Sequence, residues 1–152
     1  MEYVTNSPEQ TRSLGARLAK ALRPGDVVLL LGDMGAGKSE LSRGIARGLG
    51  IDGPVPSPTF TIMQAYDQGR CPLYHFDWYR LESSEELYEM GLEEYLGGDG
   101  IALVEWPSQA WDAVPETYLE ATLTPDESAE KRTITLRGVG GFHPLTGMEE
   151  TK

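Results

Sequence analysis

Gly32-Asp33-Met34-Gly35-Ala36-Gly37-Lys38-Ser39 spell G-x-x-x-x-G-K-S, and each residue type in that pattern has a physical task. Glycine lets the backbone turn tightly enough for its N–H groups to converge on a polyphosphate. The lysine reaches β- and γ-phosphates, and the hydroxyl after it can ligate Mg²⁺. The flanks fit the same reading. Asp26-Val27-Val28-Leu29-Leu30-Leu31 reads as a short buried strand ahead of the motif. Behind it, Leu41, Ile45 and Leu49 recur at i, i+4 and i+8, the stripe of a helix over 40–49. Strand, glycine loop and helix N-terminus together make an anion site, because unpaired N–H groups and the helix dipole both favour phosphate there. The fold expected is α/β: a P-loop three-layer sandwich whose central sheet is mostly parallel, with antiparallel additions.

Upstream, Ser7-Pro8-Glu9-Gln10 is a helix start. Ser7 caps, Pro8 suits the first helical position, and Gln10 closes a capping box. Leu14, Leu18 and Leu22 mark one face, and Arg23-Pro24-Gly25 stops the helix. In the second helix Gly44 and Gly48 each cost roughly 1 kcal/mol relative to Ala. Their spacing puts both on one face, where they permit close packing against the sheet. Gly50 serves as its C-terminal cap.

Downstream, 51–58 is a loop rich in proline and glycine. Segments 59–66 and 71–76 read as a hairpin around the turn Asp67-Gln68-Gly69-Arg70. Ser83-Ser84-Glu85-Glu86 resembles a second capping box, opening a short helix that Gly91 interrupts and 92–96 resumes. Ile101-Ala102-Leu103-Val104 is an apolar strand ending in Glu105, and Trp106-Pro107 breaks it. Further strands are expected near 118–123 and 132–137. One domain is expected over 1–138, and 139–152, with Gly140, Gly141 and Gly147, as a mobile tail.

A chain of 152 residues suits one domain with a real core. Its 39% hydrophobic content is slightly low for a globular protein but well above disordered compositions. No apolar run approaches the ~20 residues of a membrane span. Met1-Glu2-Tyr3-Val4-Thr5-Asn6 has neither the basic nor the apolar region of a signal peptide. The single Cys71 excludes an internal disulfide and suits a reducing cytosol, so a cytoplasmic location, away from any membrane, is expected. The net charge of −11 argues against a tight grip on nucleic acid by this chain alone. Residues 81–130 hold fourteen Asp or Glu and no Lys or Arg, whereas seven of the thirteen basic residues lie between Arg12 and Arg47. A solvated acidic face is the default reading of such a run; a docking face for a basic partner is the functional one.

A P-loop binds phosphate without choosing a reaction. Hydrolysis needs a further acid near Mg²⁺ and a group that orients water. Glu105 stands at a strand end, where parallel strands of an α/β sheet converge on the ligand crevice. In His75-Phe76-Asp77-Trp78-Tyr79-Arg80, an extended backbone puts His75, Asp77 and Tyr79 on one side. Asp77 can then reach Mg²⁺ through water or orient the nucleophile. His75, without metal-site spacing, reads first as a hydrogen-bonded structural residue. Trp106 has two readings, a base-stacking indole and a core or rim tryptophan. No N-K-x-D occurs, Asn6 being the only asparagine, which weakens a guanine-specific GTPase. A small P-loop kinase would need an acceptor pocket and usually an Arg-rich lid, against which the lack of basic residues in 81–130 speaks. A nucleotide-dependent binding module without turnover is a third class; Asp77 and Glu105 beside an intact P-loop favour hydrolysis over it.

Four blocks, in order, resemble one family: 32–39, then Ser57-Pro58-Thr59-Phe60-Thr61, then His75-Phe76-Asp77-Trp78-Tyr79-Arg80-Leu81, then Leu103-Val104-Glu105-Trp106-Pro107. The resemblance, covering roughly 7–137, is to the bacterial TsaE (YjeE) family, the ATPase partner in threonylcarbamoyladenosine modification of tRNA. It implies ATP or ADP and Mg²⁺ as cofactors, and Lys38, Asp77 and Glu105 as catalytic residues. It implies a Mg²⁺ shell of Ser39, Glu105 and Asp77. Nucleotide contacts are implied for Gly32, Asp33, Met34, Gly35, Ala36, Gly37, Lys38, Ser39, Glu40, Trp106 (against the adenine) and Arg132. Ser57, Pro58, Thr59, Phe60 and Thr61 are implied to act as a switch-like loop. The implied partners are TsaB and TsaD, with tRNA reached only through that complex and ATPase activity weak without it. Two departures are visible. Ser39 replaces the commoner Thr but keeps the hydroxyl. Glu40 stands where a small hydroxyl residue is usual and is expected to weaken nucleotide affinity by its charge, although a carboxylate in a helix's first turn is otherwise favourable.

Overall fold

β2 (Val27–Leu31) lies at the middle of a sheet because its side chains are apolar in both directions, so neither face can be left to water. The structure is a computed structural model describing residues 1–33, 35–58, 60–127 and 130–148. Around β2 the chain runs β1 (Glu2–Thr5), α1 (Pro8–Ala21), then α2 (Lys38–Gly48), β3 (Met63–Tyr66), β4 (Leu73–Asp77), α3 (Glu85–Glu89), β5 (Ile101–Glu105), β6 (Tyr118–Pro125) and β7 (Arg132–Val139). The seven strands form one mixed sheet in the order β1-β7-β6-β2-β5-β4-β3. Its four central strands, β6-β2-β5-β4, are parallel. Both edges are antiparallel: β3 on β4 at one side, β7 on β6 and β1 on β7 at the other.

Alternation along β2 and β5 sends side chains into two cores. Val28, Leu30 and Leu103 meet Leu18, Leu41 and Ile45 of α1 and α2 on one face. Val27, Leu29, Ala102 and Val104 meet Phe76, Trp78 and Leu87 on the other. That second face is covered by α3 and two 3₁₀ segments, Leu92–Tyr95 and Pro107–Ala113. No helix among the described residues is long and apolar enough to cross a membrane.

Ser7 caps α1 as expected: its Oγ accepts from the Gln10 N–H at 3.1 Å, and Gln10 Oε1 accepts from the Asn6 N–H at 2.7 Å. The glycines of α2 behave differently from expectation. Gly44 and Gly48 face α1, not the sheet. A Cβ on Gly44 would lie 2.1 Å from the Arg12 carbonyl oxygen, and one on Gly48 2.6 Å from that of Ala16. Gly15 answers from α1, where a Cβ would lie 2.5 Å from the Leu41 carbonyl oxygen. The two helices therefore touch backbone to backbone, which fixes where α2 begins.

Other expectations are corrected. α2 starts at Lys38, two residues before residue 40. β1 was not expected; it is held by pairing with β7 at the far end of the chain. The strand expected over 59–66 begins only at Met63, because the Ile62 and Thr61 N–H groups both donate to Pro58 O and Ile62 has φ 69°. The second capping box does not form: Ser84 Oγ donates to Asp112 Oδ2 at 2.6 Å instead. Gly91, at φ 69°, does interrupt that helix, and a 3₁₀ turn follows. The segment expected as a tail from residue 139 lies along the body as far as Met148. Phe142 and Leu145 pack on the α1–α2 core, Arg17 Nε donates to Gly147 O at 2.9 Å, and Tyr3 Oη donates to Met148 O. Residues 149–152 lie outside the described residues.

Candidate functional site

The loop between β2 and α2 turns at glycines that nothing else could replace. Gly32 has φ 149° and would carry a Cβ 2.7 Å from the Leu123 carbonyl oxygen; Gly37, immediately before α2, has φ 102°. Ala36 is buried beneath the loop. Met34 lies outside the described residues. Arg132, at the start of β7, braces the loop: its Nε donates to Ala36 O at 2.8 Å and its Nη2 to Gly35 O at 3.1 Å.

A cavity of about 430 Å³ opens at this point. Gly35, Gly37, Lys38, Ser39, Glu40, Ser57, Asp77, Glu105, Trp106 and Arg132 line it, so ten residues anticipated from the sequence share one space. Gly32 and Asp33 instead border an adjoining cavity of about 270 Å³, together with Lys38, Trp106, Ser108 and Trp111. Pro58 is buried; Phe60 and Thr61 are exposed and line neither cavity. Phe60, 81% exposed, carries the Arg80 guanidinium 4.3 Å from its ring centroid. Thr59 lies outside the described residues.

Register explains the acidic wall. Asp77 ends β4, Glu105 ends β5, and the two are partners across parallel strands. Both are buried, at 4% and 5% exposure, facing the lysine that opens α2. Burial pushes the Lys38 ammonium down from its usual range, and Glu105, Asp77 and Asp33 act against that shift. The ammonium sits 4.1 Å from the Trp106 ring centroid, a cation–π contact in a partly desolvated place. Asp77 is engaged at both oxygens. Oδ2 accepts from Ser57 Oγ at 3.0 Å and Oδ1 from the Tyr79 N–H at 2.9 Å. His75, one step back along β4, approaches Glu105 Oε2 with Nε2 at 2.8 Å.

Glu40 is held by neighbouring arginines. It lines the cavity, yet its carboxylate is paired with Arg12 of α1 and with Arg43 one turn on. Its charge is neutralised by the neighbouring helix, which helps tie α2 to α1. Three contributors were not singled out in the sequence: Arg12, Trp111 and the direct His75–Glu105 contact. Alternation had put His75 and Asp77 on one side, but only the strand pairing brings Glu105 to both.

Fold and sequence together define an α/β protein with a mixed seven-stranded sheet and a glycine-rich loop at the C-terminal end of its central strand. Residues 5–134 match the sequence model of the family described as "Threonylcarbamoyl adenosine biosynthesis protein TsaE", and the chain belongs to that family. It is 41% identical, over 95% of its length and 90% of the relative's, to the tRNA threonylcarbamoyladenosine biosynthesis protein TsaE of Bacillus subtilis. It is 45% identical to the protein of that name from a Nostoc species, over 84% of this chain and 80% of that one. Among solved structures it resembles the crystal structure of Bacillus subtilis YdiB, with a TM-score of 0.81 and 37% identity over 93% of this chain and 86% of that one.

Proposed function

We propose that this chain is the ATP-binding and ATP-hydrolysing member of the machinery that makes threonylcarbamoyladenosine in tRNA, acting with TsaB and TsaD and reaching tRNA only through them. We read its fold as a P-loop three-layer sandwich, the ATPase domain expected over 1–138 as extending through the packed segment to Met148, and the cytoplasm as its place. The observation that carries the reading is the convergence of Lys38, Ser39, Asp77 and Glu105 on one cavity beside the glycine loop.

The residues fit Mg²⁺ carried in on a nucleotide. Among the described residues no group of three or more His, Cys, Asp or Glu could cage a metal alone. Mg²⁺ prefers one or two carboxylates with phosphate oxygens and water, and Ser39, Glu105 and Asp77 supply such a partial set. When bound, Mg²⁺ would neutralise charge on the β- and γ-phosphate oxygens. Ser39 and Glu105 would hold it, and Asp77 would serve the attacking water. Lys38 leaves the Trp106 ring for the phosphates. Loop amides bind, and Arg132 keeps the loop in shape from behind. Trp106 walls both cavities, so a nucleotide that enters meets it.

Catalysis on this reading is positioning and charge stabilisation. Asp77 orients the attacking water, but in the present arrangement Ser57 and Tyr79 hold both its oxygens. Each oxygen keeps a further lone pair for that water, and on this reading a partner activates the enzyme by moving the 57–61 loop that Ser57 ties to Asp77. The test is modified adenosine per enzyme over time, by mass spectrometry of digested tRNA, with TsaB, TsaD, tRNA and a threonylcarbamoyl donor. This chain with ATP should give repeated cycles, and Lys38→Ala or Asp77→Ala should abolish the gain. Equal yield with and without the chain would defeat the assignment.

A further inference from the structure

We propose that His75 is a positioning residue for Glu105: its Nε2–H holds one carboxylate oxygen so that the side chain stands ready for the cation of a bound Mg·nucleotide. The inference rests on the reading of Glu105 as a metal ligand given above.

His75 lies in the middle of β4, paired with Gln64 on β3 and Leu103 on β5. Two residues further on, the same strands pair Asp77 with Glu105. The ring therefore sits on the same face, one step deeper in the sheet than the acidic rung. It is 1% exposed. Nε2 is 2.8 Å from Glu105 Oε2, and Nδ1 has no hydrogen-bond partner among the described residues. A carboxylate accepts and does not donate, so the Nε2–H is the donor of this bond. The imidazole is spent on a single bond, and that bond goes to Glu105.

Stability does not account for this arrangement. A buried polar pair can usually be replaced by well-packed apolar residues at little loss or some gain. Every neighbour of His75 along β4 and β5 apart from the acidic rung would accept an apolar side chain: Tyr74, Phe76 and Leu103 flank it. A glutamate with three free torsions at a strand end would otherwise sample several orientations. Groups that hydrogen-bond a metal's ligands commonly fix those ligands in this way, and their loss typically lowers metal affinity by about 10–100-fold.

The experiment measures ADP affinity of the full chain by calorimetry across a Mg²⁺ series and in EDTA, for wild type, His75→Leu, His75→Gln, His75→Asn and Glu105→Gln. His75→Leu should raise the Mg²⁺ concentration needed for tight ADP binding by about tenfold or more, with ADP affinity in EDTA unchanged. His75→Gln, whose amide reaches the Nε2 position, should restore the wild-type Mg²⁺ requirement. His75→Asn, whose amide stops at the Nδ1 position, should not. The Gln–Asn contrast decides the matter even if His75→Leu does not fold. Equal Mg²⁺ requirements for Gln and Asn would overturn the proposal, as would equal losses with Mg²⁺ and with EDTA. A changed requirement in Glu105→Gln with none in His75→Asn removes the role of His75 alone. No change in Glu105→Gln removes the reading of Glu105 beneath it.

Discussion

Replacing Gly44 by alanine tests the contact that sets the glycine loop's position. Alanine is the better helix former by about 1 kcal/mol, so on propensity alone the change would stabilise α2. The structure reverses that sign. The new Cβ would stand 2.1 Å from the Arg12 carbonyl oxygen, 2.7 Å from its carbon and 2.8 Å from Arg12 Cα, where ordinary contact begins at 3.4 Å. All three obstacles are backbone, so no side chain can swing aside, and α1 and α2 must part by roughly 1 Å in an interior that is close-packed. Leu18, Leu41 and Ile45, all fully buried at this face, then lose contact. Overpacking of this kind costs about 1–3 kcal/mol, and a backbone obstacle belongs in the upper half of that range. Set against the gain in propensity, the net loss is about 1–2 kcal/mol. For a chain of this length it lowers Tm by about 2–8 °C. Thermal melts followed by circular dichroism, with urea titration beside them, read this directly. Lys38 and Ser39 open the same helix, so ADP affinity should fall with it. Gly48→Ala, one turn further from the loop and 2.6 Å from the Ala16 oxygen, should lower Tm while disturbing ADP affinity less. A Gly44→Ala protein that melts at or above the wild-type temperature would refute the close approach of the helices.

If Lys38 holds phosphate as proposed, Lys38→Ala removes a charge-assisted contact of about 1.5–3 kcal/mol, so ADP should bind about 10–150-fold more weakly by calorimetry; unchanged affinity in a folded variant would contradict the site. Trp106 should report binding, because Lys38 now rests on its ring; Trp106→Phe should abolish the change in fluorescence on adding ADP, and a persistent change would move the signal elsewhere. The Tyr74 hydroxyl, 2.7 Å from Asp99 Oδ1, is pushed up to about 12, first by that hydrogen bond and then by burial. The unfolded chain gives up this proton near pH 10 and the folded one later, so stability should fall as pH rises from about 10 to 12, and Tyr74→Phe should flatten that slope in urea titrations.

What was legible in the sequence is what is local. The cap at Ser7, the stripe of α2, the strand before the loop and the strand ending in Glu105 each announce themselves within a dozen residues. Helix periodicity also showed that Gly44 and Gly48 share a face, but a period says nothing of what lies opposite, and α1 rather than the sheet lies there. β1 escaped because four residues without a turn signal become a strand only through pairing with β7. Ser83 and Glu86 had the spacing of a capping box, but the helix is entered one residue later, from Ser84, whose hydroxyl goes to Asp112, brought close by the fold. Glu40 looked like a charge aimed at phosphate until Arg12 arrived from another helix. The candidate site divides in the same way. The glycine loop could be read in one stretch, whereas the Asp77–Glu105 rung and the His75 contact behind it depend on register between strands nearly thirty residues apart.

One local feature joins these levels. Glu105 and Trp106 are consecutive, yet both line the same cavity. On a regular strand their side chains would point to opposite faces. The backbone resolves the conflict by turning left-handed at Trp106, with φ 58° and ψ 51°, a region that costs a bulky residue roughly 1–3 kcal/mol. Pro107 and the 3₁₀ turn that follows hold the bend. Asparagine or glycine would adopt it with less strain, but neither would place an indole beside the Lys38 ammonium. The strand therefore ends where it does for the cavity's sake: the acid stays in register with Asp77, and the next residue is turned back to close the wall around the lysine.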